Sequence, residues 1–371
     1  MSIEKTQQLN LSKTNLGLQS IILNQETDYE ATFKHEYNQE NLLLHLQGFE
    51  IGNEGAEKVG IYLSKLVNLT HLHIYFEKNQ LGSEGASHIG RALKQLEKVK
   101  QMQLDIGINN IECDGLESIA DGIKKQVNLT QLQLNIRFNK IKRVGTKCLS
   151  EALKCLTQLK QLHIVVEGNR IRDEGLCHIG NAIAQLPNLE QLYLDVSANS
   201  IKSEGAKRFA QELQKCSKLK SLFLEFFWNK MGDEGIQDLF LALKNMKELY
   251  DLHISLKRNS VTDKGVITIA ALLPYLKNTV KFSLNLDVNQ ISFEGQELLG
   301  QRLGYMRKLT DLYLDMQGQQ EMYLASLTFC FLGFLLQARK HEIRRLFIFD
   351  KVYGGIQFKY KNDILIDFFN E

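Results

Sequence analysis

The stretch Ile111–Asn139, IECDGLESIADGIKKQVNLTQLQLNIRFN, changes its hydrophobic period halfway along. Leu116, Ile119 and Ile123 recur at three- and four-residue intervals, which lines one face of an α-helix, whereas Leu132, Leu134 and Ile136 alternate as the buried side of a strand does. One helix and one strand cannot bury both apolar faces alone. The segment therefore implies neighbours like itself.

The rest of the chain supplies them. Glycine stands at nine positions thirty residues apart: Gly55, Gly85, Gly115, Gly145, Gly175, Gly205, Gly235, Gly265 and Gly295. Asparagine does the same at Asn79, Asn109, Asn139, Asn169, Asn199, Asn229, Asn259 and Asn289, until Gln319 breaks the series. Such unbroken spacing predicts a solenoid of stacked, equivalent units. In six of the nine units a good N-cap residue precedes the helix (Asn53, Ser83, Asp173, Ser203, Asp233, Asp263), usually followed by an acid such as Glu84 or Glu174. The glycine, placed in the first helical turn, predicts close approach of a neighbouring backbone. The asparagine amide is expected to satisfy loop backbone groups, so that successive copies form a ladder. A phosphate loop would need clustered glycines and a Lys-Ser/Thr pair after a strand, and the sequence has none.

The pattern L-x-x-L-x-[LI] leading to N-x-[IL]-x-x-E-G-A, as in LTHLHIYFEKNQLGSEGA over Leu69–Ala86, resembles the leucine-rich repeats of the ribonuclease-inhibitor type from about Leu42 to Leu314. The resemblance implies an α/β solenoid in the form of a horseshoe or arc, with a parallel sheet on the concave side and helices on the convex side. Strands about 4.8 Å apart, tied one to one to helices about 8–10 Å apart, also demand an arc with the strands inside. Two residues are added between L-x-L and Asn, carrying one more apolar residue (Phe76, Ile106, Ile136, Val166, Val196, Phe226, Leu256, Leu286, Met316). This is similar to the version common in ciliates and related protists, which implies a longer strand in each unit.

The organisation expected is one continuous body: an N-terminal cap with a degenerate first strand over 1–48, nine repeats over 49–318, and a C-terminal capping unit over 319–371. Leu42, Leu44 and Leu46 hold the strand register, but Phe49 replaces asparagine. In the last unit the uncharged run Tyr323–Ala338 is short of the roughly twenty residues that span a bilayer, and is expected as a buried capping helix. IRRLFIF (Ile343–Phe349) repeats the strand pattern, and KVYGGIQFKY suggests a hairpin shielding the last edge.

With 44% hydrophobic residues, 24% charged and a net charge of +2, the chain has matter for a large core and no whole-molecule field that would gather nucleic acid or an anionic membrane, so neither nucleic-acid binding nor membrane insertion is expected. MSIEKTQQLN lacks the layout of a secretory signal, so an intracellular, cytoplasmic protein is expected. Cys113, Cys148, Cys155, Cys177, Cys216 and Cys330 form no CxxC pair, and reduced, mostly buried thiols are the reading.

Alternation assigns one residue in two of each strand to the open inner face. Seven acids fall there (Glu77, Asp105, Glu167, Asp195, Glu225, Asp287, Asp315) against two bases, Arg137 and Lys257. Tyr75, Tyr193, Phe223, Tyr313 and Phe227 share that face, whereas Phe226 belongs to the core column of Ile136 and Leu256. Trp228 stands in a mixed column and either seals the strand end or joins Phe227 in an aromatic island, as protein-binding hot spots do. His73, His163 and His253 share a column but are three strands apart, about 14 Å, too far for one metal ion. Neither catalytic set, cofactor motif nor metal site is indicated. The function expected is a non-catalytic protein-interaction scaffold whose partner offers a basic surface. The alternative, from related repeat proteins, is a regulator that inhibits a nuclease or activates a small GTPase; the short, apolar NDILIDFFNE is unlike the acidic tail of the GTPase activators.

Overall fold

The computed structural model describes residues 19–22, 38–316, 345–349 and 356–359, with side chains over 38–316. The chain divides into two compact units, Met1–Asn169 and Arg170–Glu371. The division falls inside the thirty-residue period, where no change of composition marks it.

In the first unit the strands β1 (Gln19–Ile22), β2 (Asn41–His45), β3 (His71–Tyr75), β4 (Gln101–Asp105), β5 (Gln131–Asn135) and β6 (Gln161–Val165) pair in chain order, all parallel. Helices α1 (Gly52–Leu63), α2 (Ser83–Leu93), α3 (Glu112–Lys124) and α4 (Lys142–Leu153) connect β2 to β6. The second unit repeats the scheme with α5 (Arg172–Ile183), β7 (Gln191–Asp195), α6 (Ser203–Leu213), β8 (Ser221–Glu225), α7 (Gly232–Leu243), β9 (Asp251–Ser255), α8 (Asp263–Leu272), β10 (Lys281–Asn285), α9 (Phe293–Leu303), β11 (Asp311–Asp315) and β12 (Arg345–Phe349). Its strands are parallel up to β12, on whose far side β13 (Ile356–Lys359) lies antiparallel with Leu346 opposite Phe358. In neither unit does the sheet close on itself: parallel strands alternate with helices in an open α/β layer.

Identical spacing produces identical register. Leu72 lies opposite Met102, and Met102 opposite Leu132, so that each apolar column runs unbroken across the strands. The columns face the helices, where Leu116, Ile119 and Ile123 meet them with no exposed surface. The extra apolar residue of each repeat adds a further buried row, Phe76, Ile136, Val166, Val196, Phe226, Leu256 and Leu286 all at 0% exposure; Met316 is only partly covered. The strand itself is not lengthened, since each strand from β3 to β11 has five residues. The two added residues instead carry the hydrogen-bond ladder past the strand end, with Phe76 N–H donating to Asp105 O at 2.6 Å and Lys78 N–H to Gly107 O at 3.1 Å.

The asparagine ladder is present. Asn109 Oδ1 accepts from the backbone of Asn79 (2.9 Å) and Leu81 (3.0 Å), while its Nδ2 donates to Phe76 O (3.0 Å) and Ile106 O (3.0 Å). One amide thus ties the turns of two repeats together.

The expected caps work differently. Ser83, Ser203 and Asp263 are the first residues of their helices, and Asn53, Asp173 and Asp233 lie one position further in. Four of these six side chains accept from the next repeat: Asn53 Oδ1 from Gly82 N (2.9 Å), Asp173 Oδ1 from Lys202 N (2.7 Å), Asp233 Oδ1 from Thr262 N (2.8 Å) and Asp263 Oδ1 from Ser292 N (2.8 Å). Each satisfies an orphan donor at the following helix entrance, which is capping across the stack. At four of the nine period-thirty glycines, Gly85, Gly205, Gly265 and Gly295, this hook takes the space a Cβ would need. A Cβ on Gly295 would collide with Asp263 Oδ1, and a Cβ on Gly85 would stand 2.7 Å from Asn53 Oδ1. The intruder at these two positions is the hooking side chain of the preceding repeat.

The thiols are less buried than expected. Cys216 is covered, but Cys113, Cys148, Cys155 and Cys177 are half-exposed on the helical layer, because thirty-residue units give the cysteine positions no shared core column. The run Tyr323–Ala338, Gln317, Gln319, Cys330 and the Gly354-Gly355 turn lie outside the described residues.

Candidate functional site

The helix-free face of each unit is the candidate surface, because there, among the described residues, alternate strand side chains meet no second layer of the fold. Burial along the strands confirms the alternation, as in β8, where Leu222 and Leu224 are covered while Phe223 and Glu225 are half-exposed.

In the first unit the face is built around an ion pair that jumps a strand. Arg137 extends from the end of β5 to Glu77 beyond β3, Nη2 to Oε1 2.6 Å, although the strand β4 lies between them. Gly107 makes the crossing possible: a Cβ there would stand 3.0 Å from Arg137 Cγ, so a larger residue would push the guanidinium stem away. Glu77 is 6% exposed. Next to this pair, Asp105 accepts from Gly107 N (3.0 Å) and Asn135 Nδ2 (3.1 Å). Burial raises its carboxyl above the ordinary value, against the pull of those two bonds. Tyr75 stacks on His45 with centroids 4.9 Å apart, and burial followed by the charge of Asp105 raises its hydroxyl. Glu167 is half-exposed further along the face. His73 and His163 are held below the usual histidine value, chiefly by desolvation.

In the second unit an aromatic row crosses three strands. Tyr193 stacks on Phe223 (6.2 Å) and Phe223 on His253 (5.6 Å), with His253 Nε2 2.7 Å from Glu225 Oε1. Beside the row Lys257 pairs with Asp287 at 2.6 Å and lies 5.9 Å over the Phe227 ring. Asp287 is 6% exposed. Asp195 accepts from Ser197 N at 2.8 Å, and Asp315 from Asn285 Nδ2 at 3.3 Å. Burial, then the charge of Asp315, raises the Tyr313 hydroxyl.

The cluster Phe226, Phe227, Trp228 divides three ways. Phe226 is fully buried, Phe227 half-exposed, and Trp228 61% exposed. The cause is backbone geometry. Trp228 has φ +55, and its equivalents Lys78, Ile108, Phe138, Ala198, Arg258 and Val288 all share the left-handed conformation. At this turn the chain leaves the sheet, so the side chain is thrown clear of the core, as is Phe138 at 44% exposure. Trp228 does not plug the strand end. Its ring lies 6.3 Å from that of Phe227.

The fifteen sequence-selected residues are therefore found on the helix-free faces or at their turn edge, but they separate into two groups. Tyr75, Glu77, Asp105, Arg137 and Glu167 belong to the first unit; Tyr193, Asp195, Phe223, Glu225, Phe227, Trp228, Lys257, Asp287, Tyr313 and Asp315 belong to the second. Both bases are spent on neighbouring acids, Arg137 on Glu77 and Lys257 on Asp287, so each face stays net negative. His253, which the sequence offered only as a rejected metal ligand, continues the aromatic row and lies 2.7 Å from Glu225. The signal was its position opposite Phe223 in the thirty-residue register. Among the described residues no group of His, Cys, Asp and Glu could hold a metal ion, and no helix is long and apolar enough to cross a membrane.

A family model described as Leucine Rich repeat matches residues 215–240, the segment from the end of α6 through β8 and Trp228 into α7. The same strand, amide ladder and helix recur at thirty-residue steps on both sides of that segment, an open α/β arrangement consistent with a leucine-rich-repeat solenoid. Comparison with curated proteins finds none that matches.

Proposed function

We propose that this chain is a non-catalytic, intracellular scaffold that holds a partner protein through the strand face, with Phe227 and Trp228 as anchors and the surrounding acids meeting a basic surface. The leucine-rich-repeat fold fits such a role. The observation that carries the reading is the 61% exposure of the only tryptophan beside a half-exposed phenylalanine, at the edge of a face whose strand positions hold more acids than bases. Aromatics held by a rigid turn offer contact area at small ordering cost. The test is capture of partners from the source cell by the wild-type chain and by Phe227→Ala/Trp228→Ala. The double variant is expected to lose its partners while its thermal midpoint stays within about 3 °C, because neither ring is buried. Retained capture, or a large loss of stability, would overturn the assignment.

The acidity of both faces also suits inhibition of a basic nuclease, in keeping with a ribonuclease-inhibitor type of repeat. Slowed RNA cleavage on adding the pure protein would select that reading.

A further inference from the structure

The edge of the second unit at which its helices end carries charge of the opposite sign. In the segments that follow its five described helices, 184–191, 214–221, 244–251, 274–281 and 304–311, nine lysines and arginines stand against four acids, and all nine bases lie in the last four segments. Cations beside helix C-termini are ordinary, because the helix dipole favours them. Lys215 with Glu212 and Lys220 with Glu190 are local pairs of that kind. What the dipole does not explain is the company the others keep. Tyr250, Tyr275 and Tyr305 stand among Lys247, Lys277 and Arg307 with 41%, 51% and 60% of their surface exposed. Tyr275 and Tyr305 occupy equivalent positions in successive repeats, and each carries a cation over its ring: Lys244 Nζ 4.8 Å from the Tyr275 centroid, the Arg302 guanidinium 5.7 Å from that of Tyr305.

Three features define the partner. The edge presents ammonium and guanidinium groups in excess of its carboxylates, beside phenol hydroxyls that can donate, so it favours carboxylates or phosphates. One face of each ring in the Tyr275 and Tyr305 pairs is already held by a cation, which leaves less stacking surface than a nucleobase reader needs. The repeat interval sets the spacing, since adjacent packed helices are about 8–10 Å apart and an extended chain advances about 10 Å in three residues. We propose that this edge binds an extended acidic polypeptide with a carboxylate at about every third position. It is a second docking surface, opposite in charge to the strand face and independent of it.

The test uses the full chain and two labelled synthetic peptides of one composition, one with a glutamate at every third position among glycines, the other with its glutamates in one block. Fluorescence anisotropy is expected to show the spaced peptide binding about 5-fold more tightly, with affinity falling as salt rises. Lys277→Glu/Arg307→Glu is expected to weaken it at least about 10-fold, and Tyr275→Ala/Tyr305→Ala about 3-fold, with unchanged far-ultraviolet circular dichroism. Phe227→Ala/Trp228→Ala should leave this binding untouched, so failure here and failure of the strand-face reading are told apart. Unchanged affinity in the charge-reversed variant overturns the proposal. So does tighter binding of oligouridylate or phosphatidylserine vesicles than of either peptide, or growth in mass with concentration, which would make the occupant the acidic face of a second copy.

Discussion

Replacing Asn139 by alanine should cost about 3 kcal/mol, and the reasoning can be followed atom by atom. Asn139 is fully buried. Its Nδ2 lies 2.8 Å from Ile106 O, 3.1 Å from Arg137 O and 3.2 Å from Ile136 O, and its Oδ1 accepts from Ile111 N at 3.4 Å. An amide nitrogen has two protons, so two of the three carbonyls are served at a time, and alanine removes about three hydrogen bonds at about 1 kcal/mol each, while Ile106 O, Ile136 O and Arg137 O keep their bonds from Asn109, Asn169 and Ile108. The backbone N–H of residue 139 keeps its bond to Asn169 Oδ1. Asn139→Asp preserves the shape but replaces the donor with a charged acceptor facing three carbonyl oxygens, so at pH 7 it should be worse than alanine by about 1–3 kcal/mol. That gap should narrow on acidification, when the protonated acid can donate again. Urea unfolding followed by circular dichroism, with the exposed Asn245→Ala as control and amide exchange at Ile111 as a local probe, measures both. A loss below about 1 kcal/mol for Asn139→Ala, or equal stability of the two variants at neutral pH, would refute the ladder's energetic role.

Gly295→Ala should destabilise by about 1–3 kcal/mol through its collision with Asp263, and combining it with Asp263→Ala should cost less than the two separately; additive losses in urea midpoints would show that no collision exists. His163 is held below the ordinary histidine value by burial. The unfolded chain therefore binds more protons, and the penalty is complete below the folded value and gone above about 6.5. Stability should rise from pH 5 to 8, with His163→Gln giving a flatter profile, and equal profiles would sink the assignment. Burial pushes the Cys216 thiol up to about 11. Ellman's reagent at pH 8 should spare it in the native protein while it modifies Cys155 and Cys177, and the variant Cys216→Ser should lower the number of slow thiols by one.

The fold was legible because repetition multiplies weak signals. One alternation such as Leu132, Leu134, Ile136 is ambiguous, but its return at thirty-residue steps settles the register of every strand. The asparagine ladder was legible for the same reason. The caps were misassigned because Asp173 looks the same to a sequence whether it serves its own helix or the next one, and only the thirty-residue stacking brings Lys202 N within reach. Trp228 was undecidable from its column, which mixes Lys78 with Phe138, because what unites that column is a left-handed backbone and not a side-chain type. The Arg137–Glu77 pair was hidden by the sixty residues between them, although Gly107 on the intervening strand was a visible clue. Tyr275 and Tyr305 escaped notice because they lie where helices end, outside the strand positions that define the face.

The hooks that join one helix entrance to the next have a consequence for how such a chain can change its length. The hook recurs at Asn53, Asp173, Asp233 and Asp263, and the amide ladder repeats its acceptors at the same places, from Asn109 to Asn79 and Leu81 and from Asn289 to Asn259 and Val261. Cutting out thirty residues between like points inside one compact unit leaves a seam at which each amide still finds an oxygen, whereas removing twenty-nine leaves every contact beyond the cut facing the wrong atom. Growth and shrinkage by whole turns are therefore open to this architecture, and drift by single residues is not.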